Sequence, residues 1–351
     1  MRAWVLHDIG DFRYEEVSEP ELSDWDVLVS VKATGICGSD IPRIYKTGAH
    51  KMPLIPGHEF SGEVVKLGRR VEEVWLGKRV GIFPLIPCRE CAPCRTKQYE
   101  MCRQYNYLGS RCDGSFAEYV AVPVWNLVEL PENVSFEDAA MLEPMAVAVH
   151  AMRRVALYST DTVVVCGLGT IGLFLTMFLM EKGIENLFVI GNKTAQKEKI
   201  LLLDLPEDCY CDSSTQDVED WIMLRTKGQG ANVFFECVGK NVTVSQAVEL
   251  TAPAGRICVV GNPYSDMLLK KDTYWKILRH QLTVIGTWNS SYIGETTDDW
   301  HYVLSKLEGK RISPAALISH RFLMKDLEQG FRIMRDKTED YIKIMVLTED
   351  T

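Results

Sequence analysis

The sequence predicts an α/β protein in which a β-rich opening part leads into a doubly wound parallel sheet. Three observations predict it. Short β-type segments punctuated by Gly and Pro run through the first 130 residues. From Thr162 onward, apolar strand-like runs alternate with helical ones, which requires crossover connections and hence parallel strands. Gly167-Leu168-Gly169-Thr170-Ile171-Gly172 joins the first such strand to the first such helix.

Examples of β segments in the opening part are Met1–Leu6, Asp26–Lys32, Gly62–Lys66, Arg79–Phe83 and Phe116–Val122. One long helix is expected from Phe136 to about Arg154. The alternation then reads strand Thr162–Cys166, helix Ile171–Lys182, strand Asn186–Ile190 and helix Ala195–Leu203. Val218–Thr226, Val233–Glu236, Val242–Thr251 and Arg256–Val260 continue it, and Leu282–Gly286 is the last strand. From about Asn289 the pattern returns to mixed α and β. A length of 351 residues suggests two domains. With no repeat and no low-complexity linker, a hinge between packed lobes is expected near residue 153.

There are 39 basic and 48 acidic residues, a net charge of −9, and the pI is near 5.4. Nucleic acid and anionic membranes select basic proteins, so neither is expected as a main partner. An anionic ligand then needs a local cationic cluster. The opening MRAWVLHDIGDFRYEE carries acids where an export signal needs an apolar core, and Leu173–Met180 is too short to span a bilayer. A cytoplasmic protein is expected.

Four of the 11 cysteines, Cys88, Cys91, Cys94 and Cys102, form C-x2-C-x2-C-x7-C. Four thiolates at this spacing can close a tetrahedron around Zn²⁺, a structural site with no open position. An iron–sulfur cluster would use the same donors. Two disulfides are disfavoured in a chain without an export signal. Further ligand types are dispersed: Cys37 in GICGSD, His58 and Glu59 in PGHEF, and Glu143 in MLEP. One thiolate, one imidazole and one carboxylate would leave a fourth position open for substrate or water. Spacing alone does not assemble them.

In the glycine-rich turn, Gly167 permits the tight bend, Gly169 lets backbone approach a pyrophosphate and Gly172 lets helix and strand pack closely. Thr170 and Ile171 open the helix, whose free N–H groups and dipole favour phosphate. An NAD site usually ends its second strand with an acid, about 20 residues after the glycines, to bind the ribose 2′-hydroxyl. Here Leu187-Phe188-Val189-Ile190 ends in Gly191-Asn192-Lys193. Lys193 would attract a 2′-phosphate and Gly191 would leave room for it. NADP(H) is therefore the expected cofactor, with NAD bound through Asn192 the alternative.

These motifs, in this order, resemble the zinc-dependent medium-chain alcohol and polyol dehydrogenases. The stretches CGSDIPRIYKTGAH, PGHEFSG, YLGSRCDGSFAEY, EPMAVAVHA and KILRHQLTVIGTW resemble the sorbitol and galactitol-phosphate branch. The resemblance implies a GroES-like catalytic domain, residues 1–153 and 289–351, with a Rossmann domain, 154–288, inserted. It implies two Zn²⁺ per chain. Cys37, His58 and Glu143 would hold the catalytic ion, with Glu59 an alternating ligand or a partner of the metal. The four clustered cysteines would hold the structural ion. Asp40 would orient a ligand imidazole, and Ser39 would lie on the proton path from the substrate hydroxyl. Cys237, Val238, Gly239, Val260, Gly261, Thr287 and Lys343 would line the cofactor site.

The implied reaction is hydride transfer from a secondary alcohol of a polyol phosphate such as galactitol 1-phosphate, with a free polyol or simple secondary alcohol as alternative. A phosphate needs a cationic clamp. Arg43, Lys46, His50, Lys51 and Arg111 lie near the metal motifs, and Arg43, His50 and Arg111 are the candidates. A homo-oligomer, dimer or tetramer, is expected by the same resemblance. The competing class is a zinc-bearing, dinucleotide-binding regulator, which would need no open metal position.

Overall fold

The computed structural model describes residues 1–263 and 265–348. The chain forms two compact units, Met1–Ala146 with Ser290–Thr351, and Val147–Asn289. The strands in chain order are β1 (Arg2–Asp8), β2 (Asp11–Glu16), β3 (Asp26–Ile36), β4 (Glu59–Leu67), β5 (Arg79–Ile82), β6 (Leu85–Ile86), β7 (Asn106–Tyr107), β8 (Tyr119–Pro123) and β9 (Leu127–Glu129). Those of the second unit are β10 (Thr162–Cys166), β11 (Asn186–Gly191), β12 (Tyr210–Asp212), β13 (Ala231–Glu236), β14 (Thr251–Val259) and β15 (Thr283–Gly286). The first unit ends with β16 (Ile318–Leu323) and β17 (Lys343–Leu347).

The first unit is built on a seven-stranded sheet of order β16-β17-β3-β4-β5-β9, with β8 also paired to β3. Its long central strand β3 buries Val27, Val29 and Val31 against Phe60, Val64, Val80 and Ile82. A second core joins Trp4, Leu6, Ile36, Phe116, Phe331 and Ile344. Burial of such aliphatic and aromatic side chains, roughly 1.5–3 kcal/mol each, fixes the ends of β3 and β17 against each other.

The second unit is a six-stranded parallel sheet of order β12-β11-β10-β13-β14-β15. Its centre is buried on both faces, as the near-continuous apolar runs of β10 and β13 require. The order reverses between β10 and β13, the place where open α/β sheets bind ligands. The α/β class is as expected from the sequence.

The expected helix Phe136–Arg154 is two helices, Phe136–Ala140 and Leu142–Arg153. Pro144 explains the break, since its ring would collide with the carbonyl four residues back, that of Ala140. Elements outside the sequence expectation include β2, β6, β7, β9, β12 and the helix Lys271–Arg279. No helix among the described residues is long and apolar enough to cross a membrane.

Candidate active site and metal centres

The candidate catalytic site grows from one end of β3 and its two neighbours. Cys37 follows β3 directly, Glu59 opens β4 and Lys343 opens β17. The register sets Gly35 of β3 opposite Glu59 on one side and Met345 on the other. A Cβ on Gly35 would overlap Glu59 Oε2 and stand 2.6 Å from Lys343 Cε. The glycine therefore makes the space in which Glu59 and Lys343 meet. Lys343 Nζ donates to Glu59 Oε2, and to Ile36 O at 3.3 Å, with both side chains buried.

Cys37, His58 and Glu59 each offer a ligand atom within 4.8 Å of the others. The turn after β3 is closed by Asp40 N–H donating to Cys37 O at 3.0 Å and Cys37 N–H donating to Asp40 Oδ2 at 3.2 Å. Ser39 Oγ donates to Cys37 Sγ at 3.2 Å. Asp40 is fully buried, pairs with the Arg43 guanidinium and lies 3.5 Å from His58 Nδ1, which makes no hydrogen bond. Burial alone would raise the Asp40 carboxyl, but His58 and Arg43 outweigh it and hold it below its ordinary range. Burial likewise would lower His58, and the charges of Asp40 and Cys37 overcome it and hold the imidazole well above its ordinary value. A metal ion fits this donor set: soft, borderline and hard donors converge in a buried spot. Its binding must displace the His58 proton, so affinity falls in acid.

Glu143 stands outside that trio. It lies in the first turn of the helix Leu142–Arg153, almost fully buried, and accepts a hydrogen bond from Tyr107 Oη at 3.1 Å. The Tyr107 ring also meets the His58 ring edge to face at 5.8 Å. Burial pushes the Glu143 carboxyl up to about 7; Glu59 adds to this, while His58, Lys343 and Tyr107 oppose it. Burial and Glu143 hold Tyr107 well above its ordinary value.

A carboxyl raised by folding stabilises fully below its unfolded pKa and loses that contribution as pH rises through its folded value. The metal-free protein should thus lose stability between pH 4.5 and about 7 through Glu143. Glu143→Gln should flatten this slope in denaturant midpoints of metal-free protein. An unchanged slope would contradict the burial assignment.

The four-cysteine loop closes as its spacing predicts. Cys91 Sγ lies 3.4 Å from Cys94 Sγ and 3.9 Å from Cys102 Sγ, and Cys88 Sγ lies 3.9 Å from Cys94 Sγ. A tetrahedron with Zn–S bonds of about 2.3 Å has edges of about 3.8 Å, so the sulfurs suit one zinc ion. They are far too distant for disulfides and too close to surround a cluster of several irons. Backbone N–H groups of Arg103 and Cys94 hold the Cys91 thiol down at about 6, whereas burial pushes Cys94 up to about 12.

The clamp candidates are placed differently. Arg43 is committed to Asp40. Arg111 stacks its guanidinium over the Tyr105 ring at 4.4 Å. Lys46, His50 and Lys51 are exposed. Among the described residues no hydrogen bond or ion pair joins Arg43, His50 and Arg111.

In the second unit, the residues expected to hold a dinucleotide gather at the switch point. A Cβ on Gly167 would stand 2.5 Å from Val238 Cγ2 and 3.1 Å from Cys237 C, and one on Gly172 would overlap Gly167 O. A Cβ on Gly169, the N-cap of the helix carrying Thr170 and Ile171, would meet nothing within 4 Å. Open space over a helix N-terminus is the cradle a pyrophosphate requires. Cys237 N–H donates to Cys166 O, and Val260 and Gly261 N–H donate to Glu236 O, so the turns after β10, β13 and β14 are latched together. Thr287 Oγ1, just past β15, is buried without a partner. Gly191, Asn192 and Lys193 end β11 and lead into the helix Thr194–Leu202.

Tyr107, the Lys343–Glu59 pair and Glu236 escaped the sequence reading as site components. The Glu236 carboxylate accepts from Val238 N–H, Gly239 N–H and Thr243 Oγ. Lys343 was read as a cofactor residue from the resemblance; its observed partner is Glu59.

A dinucleotide-type sheet carried with a buried thiolate–imidazole–carboxylate site and a closed four-cysteine site defines a zinc-bearing dehydrogenase. Residues 23–132 match the alcohol dehydrogenase GroES-like domain, and residues 170–309 match the zinc-binding dehydrogenase domain. The chain is 33% identical over 334 residues to galactitol 1-phosphate 5-dehydrogenase of Escherichia coli K12, covering 95% of this chain and 96% of the relative. The crystal structure of galactitol-1-phosphate dehydrogenase from Escherichia coli aligns over 99% of this chain and 100% of its own with a TM-score of 0.89, at 31% identity. A zinc-binding dehydrogenase from Sinorhizobium meliloti 1021, bound to NADP, aligns at a TM-score of 0.88 and 25% identity over 99% and 98% of the two chains. A protein described as a short chain alcohol dehydrogenase from Escherichia coli CFT073, complexed with NADH, aligns at a TM-score of 0.89 and 26% identity over 99% of each chain. The chain belongs to the zinc-dependent medium-chain alcohol and polyol dehydrogenase family, and it is an oxidoreductase.

Proposed function

We propose that the chain oxidises a secondary hydroxyl of a polyol phosphate, with galactitol 1-phosphate the first candidate, and transfers the hydride to NADP⁺. The observation that carries the catalytic reading is the buried convergence of Cys37, His58 and Glu59. These three would hold a zinc ion, which would supply Lewis acidity toward the substrate hydroxyl, and a bound nicotinamide would serve as the hydride acceptor. The Asp40 carboxylate, 3.5 Å from His58 Nδ1, would orient the ring and leave the other nitrogen for the metal. Ser39 Oγ, beside Cys37 Sγ and partly exposed, would accept the hydroxyl proton while releasing its own to solvent. Lys343 holds Glu59, and Tyr107 holds Glu143 as the second, exchanging carboxylate. Cys88, Cys91, Cys94 and Cys102 hold a structural zinc. Gly167, Gly169, Thr170, Ile171 and Gly172 take the pyrophosphate, and Asn192 and Lys193 take the 2′-phosphate. Cys237, Val238, Gly239, Val260, Gly261 and Thr287 complete the cofactor site.

The phosphorylated substrate is supported by the relative named for it, which spans nearly the whole chain. Arg111 is the cleaner probe of a phosphate clamp, because Arg43 also holds Asp40. Charge-assisted hydrogen bonds predict that Arg111→Ala raises KM for galactitol 1-phosphate roughly tenfold or more, with little change for galactitol. Equal effects on both substrates would reject the clamp. Faster turnover of galactitol than of its phosphate by the unmodified enzyme would replace this reading with a free-polyol dehydrogenase.

A further inference from the structure

Gly191 ends β11 at the position where an acid would select NAD, and the space beside it is already occupied. Its φ is not in the left-handed region, so the backbone does not require glycine there. The neighbouring side chains do. A Cβ at this position would stand 2.8 Å from Gln196 Oε1 and 2.9 Å from both Cε2 and Oη of Tyr210. Real Cβ atoms essentially never come that close, so something would have to move.

Little there is free to move. Gln196 and Tyr210 are both buried. Gln196 Oε1 accepts from Asn192 N–H at 2.9 Å, and Tyr210 Oη donates to Lys193 O at 3.3 Å. The backbone of Gly191 is pinned from the other side, its carbonyl accepting from Ser213 N–H at 2.8 Å and Ser213 Oγ at 2.9 Å. β11 and β12 are in parallel register here, with Val189 opposite Tyr210 and Gly191 opposite Asp212. Tyr210 therefore rises from the neighbouring strand against the tip of β11. Two side chains thus fill the volume and hold the backbone of the Gly191-Asn192-Lys193 segment.

We propose that Tyr210 and Gln196 are specificity-determining residues that act with Gly191, closing the space a carboxylate at position 191 would need and so excluding the NAD type of ribose contact. This rests on the NADP reading of the site. Cofactor preference then belongs to three residues on three elements, not to the glycine alone. Burial pushes the Tyr210 hydroxyl up to about 12, so it stays a neutral donor and adds no charge that would repel a 2′-phosphate. The same packing sets the entry of the helix Thr194–Leu202, which has no side-chain cap of its own, and so fixes where Lys193 leaves the strand.

The test compares Gly191→Asp with Gly191→Asp/Tyr210→Val/Gln196→Ala, reading NADPH and NADH dissociation constants from nicotinamide fluorescence, with thermal midpoints alongside. Overpacking a filled site predicts that the single variant loses about tenfold or more in NADPH affinity without gaining NADH, and has a lower midpoint. The triple variant should bind NADH about tenfold more tightly than the single one, as a freed carboxylate reaches the ribose. A single variant that binds NADH as tightly as the triple one would overturn the inference. If the aspartate variants do not fold, Gly191→Ala adds only the Cβ. It should weaken both nucleotides, and Tyr210→Val with Gln196→Ala should restore them; an unaffected Gly191→Ala would overturn the inference equally. The unmodified protein separates the two levels. Tighter binding of NADH than NADPH by that protein would defeat the NADP reading, while the single-to-triple comparison would still report on the closure.

Discussion

Cys37→Ser should leave the chain folded, lower its zinc content from two ions to one and remove turnover. Cys37 supplies the thiolate of the Cys37–His58–Glu59 trio. A serine hydroxyl stays protonated at neutral pH and is a poor zinc ligand. Ser39 also loses the sulfur to which its hydroxyl donates. Loss of residues that merely orient ligands typically costs 10–100-fold, so loss of a ligand should cost more than about a hundredfold. The structural zinc should survive, because its four sulfurs come from one separate loop. Metal analysis, circular dichroism and the rate on one preparation read all three consequences. A folded variant with two zinc ions and an unchanged rate would remove Cys37 from the site.

Lys343→Met should destabilise the metal-free protein by about 3–5 kcal/mol, because it leaves the Glu59 carboxylate buried without its partner. The pair lies on either side of Gly35, and both side chains are buried. Zinc on Glu59 would neutralise the orphaned charge, so the loss should shrink in the zinc-loaded protein. Adding Glu59→Gln to Lys343→Met should recover much of the metal-free loss. Denaturant midpoints with and without zinc measure each case. An unaltered midpoint for the metal-free Lys343→Met protein would show that the pair contributes nothing.

What the sequence revealed and what it hid follow from how local each feature is. The glycine turn after β10 and the four-cysteine loop are legible because each is encoded within about 15 consecutive residues and its chemistry depends on that spacing. The alternating strands of the second unit are equally plain. The helix Lys271–Arg279 lies outside the sequence expectation, and its N-terminus carries no side-chain cap to mark its start. β12 is three residues long, too short to show a period. The catalytic trio and the Glu59–Lys343 pair bring together residues up to 284 positions apart through the register of β3, β4 and β17, which no window of sequence contains. Glu143 was grouped with Cys37 and His58 by resemblance. In the structure Glu59 lies within ligand distance of Cys37 and His58, and Glu143 accepts a hydrogen bond from Tyr107. The charge of Arg43 is legible in the sequence; its ion pair with Asp40 is not.

The most direct measurement follows reduced-nicotinamide formation from galactitol 1-phosphate by protein carrying two zinc ions per chain, with NADP⁺ and NAD⁺ compared at equal concentration. A zinc-dependent rate, faster with NADP⁺, is the expected result. No reduced nicotinamide from this substrate or any free polyol, with either cofactor and zinc verified in place, would contradict the assignment of Cys37, His58 and Glu59 to catalysis.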